Sequence, residues 1–411
     1  MSETALSRRP RRARSFRRSI ALGILGSSGV AIALAGGQAC GPGSIDDLTR
    51  GRVDAGTTAD VEAAAPDAPI CVHASAPERP NVEDSPNGLN LTFAIDDLRF
   101  DTGTEPRGLP APLGLDLDKT CTCPEPVSCT PRSDAAAEAC DLDGGRDNAA
   151  GQLLYNLLTV TTKADGGSLL VVREQISRGF FTALFQVQGW NGKPDDPHVI
   201  VTVVLSSGSA DDADGGRILP KFDGNDVWKV EPTSLAGGDN LVGRDCRNVP
   251  CVALSIDPNA YVVGGVVVSH IDSAPIRIRT ESGPLVIDFI DSTLIARISQ
   301  GPGGAYRLDG ELTGRWPTDR LLSGLAGVRD PTTNKSLCPP GNSIAYDLVK
   351  RAVCESADLA IDPARDRTSA ACSALSDAVS FTAIPATLGM VEASLQEPSD
   401  CPGFTDSCDR Q

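Results

Sequence analysis

The sequence predicts a mainly β fold: an antiparallel two-sheet sandwich or jelly-roll-like arrangement, with a small disulfide-linked helical cap at its C-terminal end. Three observations predict it. Between Leu89 and Trp316, short segments either alternate apolar and polar residues or are apolar throughout, and turn residues (Gly, Asp, Pro) separate them. After Trp316 the apolar spacing changes from two to three and four, the period of helices. No fixed-period repeat runs through the chain, which argues against propellers and solenoids. Apolar residues make up 40% of the 411, yet aromatics only 4%, so Val, Leu, Ile and Ala must fill most of the core.

In chain order, the first element is a leader, residues 1–39. Seven arginines from Arg8 to Arg18 precede an apolar run from Ile20 to Ala35 and the small residues Gly36, Gly37 and Ala39. Basic, apolar and small-residue regions in that order are a secretory signal peptide. Interrupted by glycines and serines, the run falls short of the roughly 20 residues a bilayer span needs. Gly37-Gln38-Ala39-Cys40 resembles the lipobox of bacterial lipoproteins. That resemblance implies that Cys40 is diacylated and becomes the new N-terminus. Gly37 stands where leucine is usual, and cleavage after Ala33-Leu34-Ala35 is the alternative. Gly41, where some inner-membrane lipoproteins carry Asp, implies the outer membrane; without the anchor the protein is secreted. Arg17-Arg18 is a weaker match to the twin-arginine signal for export of folded proteins.

Residues 40–88 are rich in Ala, Pro, Asp, Gly and Thr, a composition that cannot bury enough apolar surface to offset its ordering entropy. A flexible tether is expected there. Residues 89–317 are expected to form the sandwich. Leu89 to Ile95 alternates cleanly, and further strands are expected at Ser168 to Arg173, Phe180 to Gln188, Val199 to Leu205, Val227 to Val230, Val252 to Ile256, Tyr261 to Ser269, Ile276 to Arg279, Leu285 to Ile290 and Leu294 to Ile298. Val199 to Leu205 and Val262 to Val268 are apolar at nearly every position and read as central strands. From Ala305 to Trp316, Tyr306, Leu308, Leu312 and Trp316 share one face, while Arg307, Asp309, Glu311, Thr313 and Arg315 share the other, expected to be wet.

Residues 318–411 are expected to be the cap. Helical faces are read for Leu321, Leu322, Leu325 and Val328, for Ile344, Leu348, Ala352 and Val353, and for Cys372, Leu375 and Val379. The chain has 13 cysteines. With Cys40 acylated, the others are all disulfide candidates in an oxidising compartment: Cys71, Cys121, Cys123, Cys129, Cys140, Cys246, Cys251, Cys338, Cys354, Cys372, Cys401 and Cys408. Cys246 and Cys251 are spaced to close a short loop, and Cys71 is expected to bond into the cap. Cys121-Thr122-Cys123 is too tight for a zinc knuckle.

The leader contributes +6 to a net charge of −17, leaving the rest of the chain at −23. So acidic a surface repels nucleic acid and suits cation binding. Cys140-Asp141-Leu142-Asp143-Gly144-Gly145-Arg146-Asp147-Asn148 places carboxylates at alternate positions among glycines, which lets several oxygens converge on a hard cation. The run resembles the Asp-rich calcium loops of extracellular bacterial modules, and the resemblance implies Ca²⁺ at Asp141, Asp143 and Asp147. It departs from an EF-hand in having Arg146 where Gly is needed and no acid at the twelfth position. The competing reading is an acidic turn capping a helix from Ala149. Other Asp-rich loops (Asp116 and Asp118; Asp195 and Asp196; Asp211, Asp212 and Asp214; Asp223 and Asp226) weaken the case for any one site, since Asp-Gly is ordinary turn chemistry.

No catalytic residue is assigned. The histidines are His73, His198 and His270, and no Gly-x-Ser-x-Gly, His-Glu-x-x-His or P-loop occurs. Asp288 and Asp291, the candidate glycosidase pair, lie three apart on a strand and point to opposite faces. Trp190, in a Gly, Asn, Pro and Asp-rich loop, is the candidate ring platform for a sugar. The sequence therefore reads as an envelope lipoprotein with a noncatalytic binding or adhesion role, Ca²⁺-dependent, whose partners are the membrane through its lipid and an extracellular glycan or surface protein. A secreted glycan hydrolase and a structural envelope protein without a ligand are the alternatives.

Overall fold

Alternation does produce strands, but the sheet they form closes on itself. The computed structural model describes residues 73–84, 88–100, 113–122, 127–132, 141–142, 144–151, 153, 167–280, 283–301, 303–330, 333–339, 343–393 and 400–409. All of these lie in one unit, Asp67–Gln411. The leader, Cys40, Cys71, Cys123, Cys140 and Asp143 lie outside them.

The strands are β1 (Leu89–Phe100), β2 (Thr182–Trp190), β3 (Asp196–Ser209), β4 (Val227–Val230), β5 (Ser255–Val263), β6 (Val266–Thr280), β7 (Gly283–Gln300), β8 (Tyr306–Pro317), β9 (Ala374–Pro385) and β10 (Thr387–Val391). The α-helices whose full extent lies among the described residues are α1 (Gly167–Ser177), α2 (Thr318–Gly324) and α3 (Ser343–Glu355). Closure turns on β3. One edge of it pairs with β2, while the other is divided between β5, along Asp196 to Val203, and β4, along Ser206 to Ser209. The remaining strands follow in chain order from β5 to β9, and β9 returns to β1, with Val379 opposite Phe100. The result is an eight-stranded antiparallel barrel, β1-β2-β3-β5-β6-β7-β8-β9. β4 and β10, parallel to each other, extend the sheet from β3.

The expected two-sheet sandwich or jelly roll is thus corrected to a closed barrel. Alternation fixes which side of each strand is apolar, a requirement that sandwiches and barrels share. Whether the first and last strands meet is decided by the β1–β9 pairing, which no local pattern encodes.

The inward faces build one core. Phe93, Phe185, Phe289, Phe381, Leu308, Leu312, Val379 and Trp316 are all almost fully buried in it, and the Phe185 and Phe381 rings stack with centroids 4.8 Å apart. Gly310 of β8 stands opposite Phe381, and Gly314 opposite Asp377. A Cβ on Gly314 would come within 3.1 Å of the Phe289 ring, so small residues make room for large ones across the interior. Val199 to Leu205 is apolar on both faces for a visible reason. Its outward Val204 joins Leu184, Trp228, Val230 and Leu388 in a second core beneath β4 and β10.

Several expected elements change type. Ser168 to Arg173 lies in α1, where Val172 and Ile176, one turn apart, are buried against the barrel. Tyr261 to Ser269 is a hairpin: β5 ends at Val263, Gly264 and Gly265 turn with φ of 57° and 78°, and β6 begins. Only glycine adopts that pair of left-handed conformations readily. The two strands expected between Leu285 and Ile298 are one, β7, whose register against β8 shifts between Ile290 and Thr293 around Asp291, at φ 47°.

The expected helical cap is helical only in α2 and α3. The spacing of Cys372, Leu375 and Val379 suits a helical face, but Ala374–Pro385 is strand β9, seated between β8 and β1. The buried face of α3 is Tyr346 and Val353, whereas Ile344 and Leu348 are exposed. That face packs on the C-terminal tail, where Tyr346 donates to Asp406 (2.5 Å) and meets Phe404 edge-on at 5.3 Å. Disulfides join Cys246–Cys251, Cys338–Cys401, Cys354–Cys408 and Cys129–Cys372. The last ties the Cys121 to Cys140 region to the start of β9.

Candidate functional site

On β8 and β9 the residues between the core positions point outward. They are Glu311, Thr313 and Arg315 on β8, opposite Ser380, Ala378 and Ser376 on β9. This is the face expected to be wet, yet Thr313, Arg315 and Ser376 are fully buried. Segments 113–122, 127–132, 144–151 and 357–373 cover it.

Arg315 organises the covering layer. Its guanidinium forks onto Asp366, at 3.0 and 2.6 Å, and donates to Ala360 O (2.8 Å) and Leu117 O (3.0 Å). Its Nε reaches Asp291, the residue at φ 47° in the β7 bulge, at 3.4 Å. A bidentate, fully satisfied arginine is what allows a charge to sit out of water. The backbone it grips at Leu117 belongs to the segment that carries Asp116 and Asp118.

That segment is folded around its own carboxylates. Thr120 N–H donates to Asp116 Oδ1 (3.0 Å) and Asp118 Oδ1 (2.7 Å), and Leu117 N–H donates to Asp147 Oδ2 (2.7 Å). Asp147 N–H returns a bond to Leu115 O at 3.0 Å. Gly114 sits at φ 110°, and a Cβ there would lie 2.7 Å from Asp147 O, so glycine is required for the two segments to meet. The outcome is that acceptor oxygens of Asp116, Asp118 and Asp147 lie within 4.8 Å of one another, with all three residues buried.

Asp141 and Asp358 border the same place. Asp141 Oδ2 accepts from Thr122 N–H at 2.6 Å, and Asp358 accepts from Ser376 N–H at 2.8 Å and from the Ser376 hydroxyl. Asp118, Asp141, Asp147, Asp358 and Glu355 line a cavity of about 530 Å³, closed on another side by the Cys129–Cys372 disulfide. Arg146 is the base among its lining residues. It donates to Gly114 O and stands near Glu311.

So many carboxylates with so little positive charge bind protons more tightly than free carboxylates do. Burial, joined by mutual repulsion, pushes Asp141 up to about 7, and pushes Asp118 and Asp358 to about 6. Asp147 is driven well above the ordinary carboxylate range by burial and by Asp358, Asp118 and Asp141. Asp377, on the inward face of β9, is pushed to about 8 by burial. The Ala378 N–H beside it, which also donates to Asn148 Oδ1 at 3.2 Å, offsets only a small part of that burial.

Of the calcium residues read from the sequence, Asp147 enters the buried trio, Asp141 lines the adjoining cavity, and Asp143 lies outside the described residues. The trio's other members, Asp116 and Asp118, were visible as one acidic pair among several. What singled them out was Arg315, some two hundred residues away. Ala149–Gly151 and Leu153 are helical, so Asp147 and Asn148 also stand where a helix begins. Trp190 is only 5% exposed, its Nε1 donates to Lys193 O (2.9 Å) and its ring meets Tyr306 edge-on, so it offers no face to a ligand. Asp288 contacts Ser273 and Arg320, and Asp291 contacts Arg315. His198 meets Pro258 O and His270 meets Thr293 Oγ1, while His73 contacts Asp116. Cys121, near His73, is disulfide-bonded and offers no thiolate.

No family model matches the chain, and no curated protein or solved structure matches it either.

Proposed function

We propose that the protein is an exported envelope lipoprotein, anchored in the outer membrane through Cys40, with a noncatalytic binding or adhesion role that depends on Ca²⁺. The observation that carries the binding role is the cavity of about 530 Å³ on the outer wall of the barrel, in which five carboxylates face one arginine. Buried carboxylates at this density attract cations. A hard cation held among them presents open coordination positions to the hydroxyls or carboxylates of an extracellular glycan or surface protein. The barrel supports this reading as a rigid wall, since β8 and β9 hold the cavity from behind with the core on their other face. The signal peptide and the lipobox resemblance support the location. Binding of the full mature protein to glycan and envelope-protein arrays, with Ca²⁺ and with chelator, tests the role. Retention that is lost in chelator is expected, and retention indifferent to chelator overturns the Ca²⁺ dependence.

One observation favours a second reading, the glycan hydrolase. Asp118, Asp141 and Asp358 are held at about 6 to 7 in one cavity, the range a carboxylic general acid needs near neutrality. Turnover of a glycoside panel that disappears in Asp141→Asn would replace the noncatalytic reading.

A further inference from the structure

We propose that Asp116, Asp118 and Asp147 form a binding site for one hard divalent cation, Ca²⁺ by preference, with the Ser128 hydroxyl as a further ligand from the cavity side. The assignment rests on the cation-dependent reading above, and moves its site from the acidic run 141–147 to a trio drawn from two segments.

The geometry fits the ion. Oxygens bound to Ca²⁺ at about 2.3 to 2.6 Å lie on a sphere across which no two are more than about 5 Å apart. The three carboxylates meet within 4.8 Å. One oxygen of each is already held by a backbone N–H, from Thr120 or Leu117, which fixes where the other points. Asp116 Oδ2 also contacts His73 Nδ1, and a carboxylate oxygen has a second lone pair to give.

A second observation stands apart from the acids. Ser128 is 4% exposed and lines the same cavity as Asp118 and Asp147, and its hydroxyl is turned toward the Asp118 carboxylate, close enough to stabilise its charge but short of a well-formed hydrogen bond. A buried hydroxyl without a bond is costly unless something meets it. A cation between Ser128 and Asp118 would do so, and the adjoining cavity has room for the waters that complete six to eight ligands. The donors are all oxygen, which disfavours zinc and copper. Mg²⁺ demands a tighter octahedron at about 2.0 to 2.1 Å.

Calorimetric titration of the chelator-stripped mature protein with CaCl₂ and MgCl₂, alongside native mass spectrometry to count bound ions, tests the site. The expected result is one Ca²⁺ per chain, bound at least tenfold more tightly than Mg²⁺, with a thermal midpoint that rises with Ca²⁺ concentration. Asp118→Asn and Asp147→Asn should each weaken Ca²⁺ binding at least tenfold, Ser128→Ala should weaken it less, and Asp143→Asn should leave it unchanged. Circular dichroism of each variant in chelator shows whether it is folded. If a variant is unfolded, native mass spectrometry of the wild type with Tb³⁺ replacing Ca²⁺ keeps the count. Stripped protein that takes up neither ion overturns both the site and the Ca²⁺-dependent reading. Ca²⁺ binding that Asp143→Asn abolishes and Asp118→Asn leaves intact overturns the site alone.

Discussion

The two faces of β8 and β9 solve opposite problems with the same backbone. Inward, Leu308, Leu312, Trp316, Leu375, Val379 and Phe381 exclude water and need only shape. Outward, Arg315 and Ser376 are just as deeply buried beneath the segments laid over them, but there the groups are ionic and need partners. Burial alone therefore does not tell core from site in this molecule. What separates them is whether removing one side chain leaves a hole or leaves a charge.

The largest expected effect tests the inward face. Phe381→Ala removes a ring stacked on Phe185 and should cost about 3–5 kcal/mol in denaturant unfolding, from lost transfer energy and the cavity left behind. A cost below about 1 kcal/mol would show an interior far looser than the burial of Phe381 implies.

Arg315→Met should cost a comparable 3–5 kcal/mol for a different reason, since it strands Asp366 out of water. The distinguishing prediction is rescue. Arg315→Met with Asp366→Leu should recover at least half of the loss, whereas no second substitution at Phe185 would refill the Phe381 cavity so simply. Failure of the rescue would mean that Leu117 O and Ala360 O, the other acceptors of Arg315, account for most of its effect.

Asp377 sharpens the comparison, because it is the charged residue type on the apolar face. Its pKa is raised in the folded chain to about 8, from an unfolded value near 4. The folded state thus holds the proton more tightly. The associated stability is fully present below about pH 4 and is lost as pH rises to about 8, by at most about 1.4 kcal/mol per pH unit. Asp377→Asn should flatten that part of the decline in thermal midpoint between pH 5 and 8. An unchanged slope would show that Asp377 is ionised and partnered.

Much of this was legible locally and little of it globally. Leu89 to Ile95 and Ala305 to Trp316 were readable as strands because a period of two survives in any sheet. The Gly264-Gly265 turn was equally local, but the valines on both sides masked it as one run. The helix α1 was hidden because Leu169 to Val172 suits either structure, and only Ile176, one turn on, breaks the tie. The burial of Arg315 was not legible at all. On an alternating strand it is indistinguishable from Arg307, which stays exposed, and the difference lies in Asp366 and Leu117, far along the chain. Asp116 and Asp118 were brought beside Asp147 by contacts that likewise lie outside their own stretch of sequence.

The return of β9 to β1 also sets an order of events in time. Thr382 bonds to Asp96 across 286 residues, and the Cys129–Cys372 link spans 243. Loops of that length close slowly, and nothing local rewards the search. A chain that emerges N-terminus first makes β1 early and must keep one of its edges unpaired until nearly everything else has been delivered. Phe93, Ile95, Leu98 and Phe100 wait on that strand with their core partners on β9 unmade. An edge so long in waiting is where pairing with a neighbouring chain begins, so β1 is the strand most in need of a chaperone before the ring is shut.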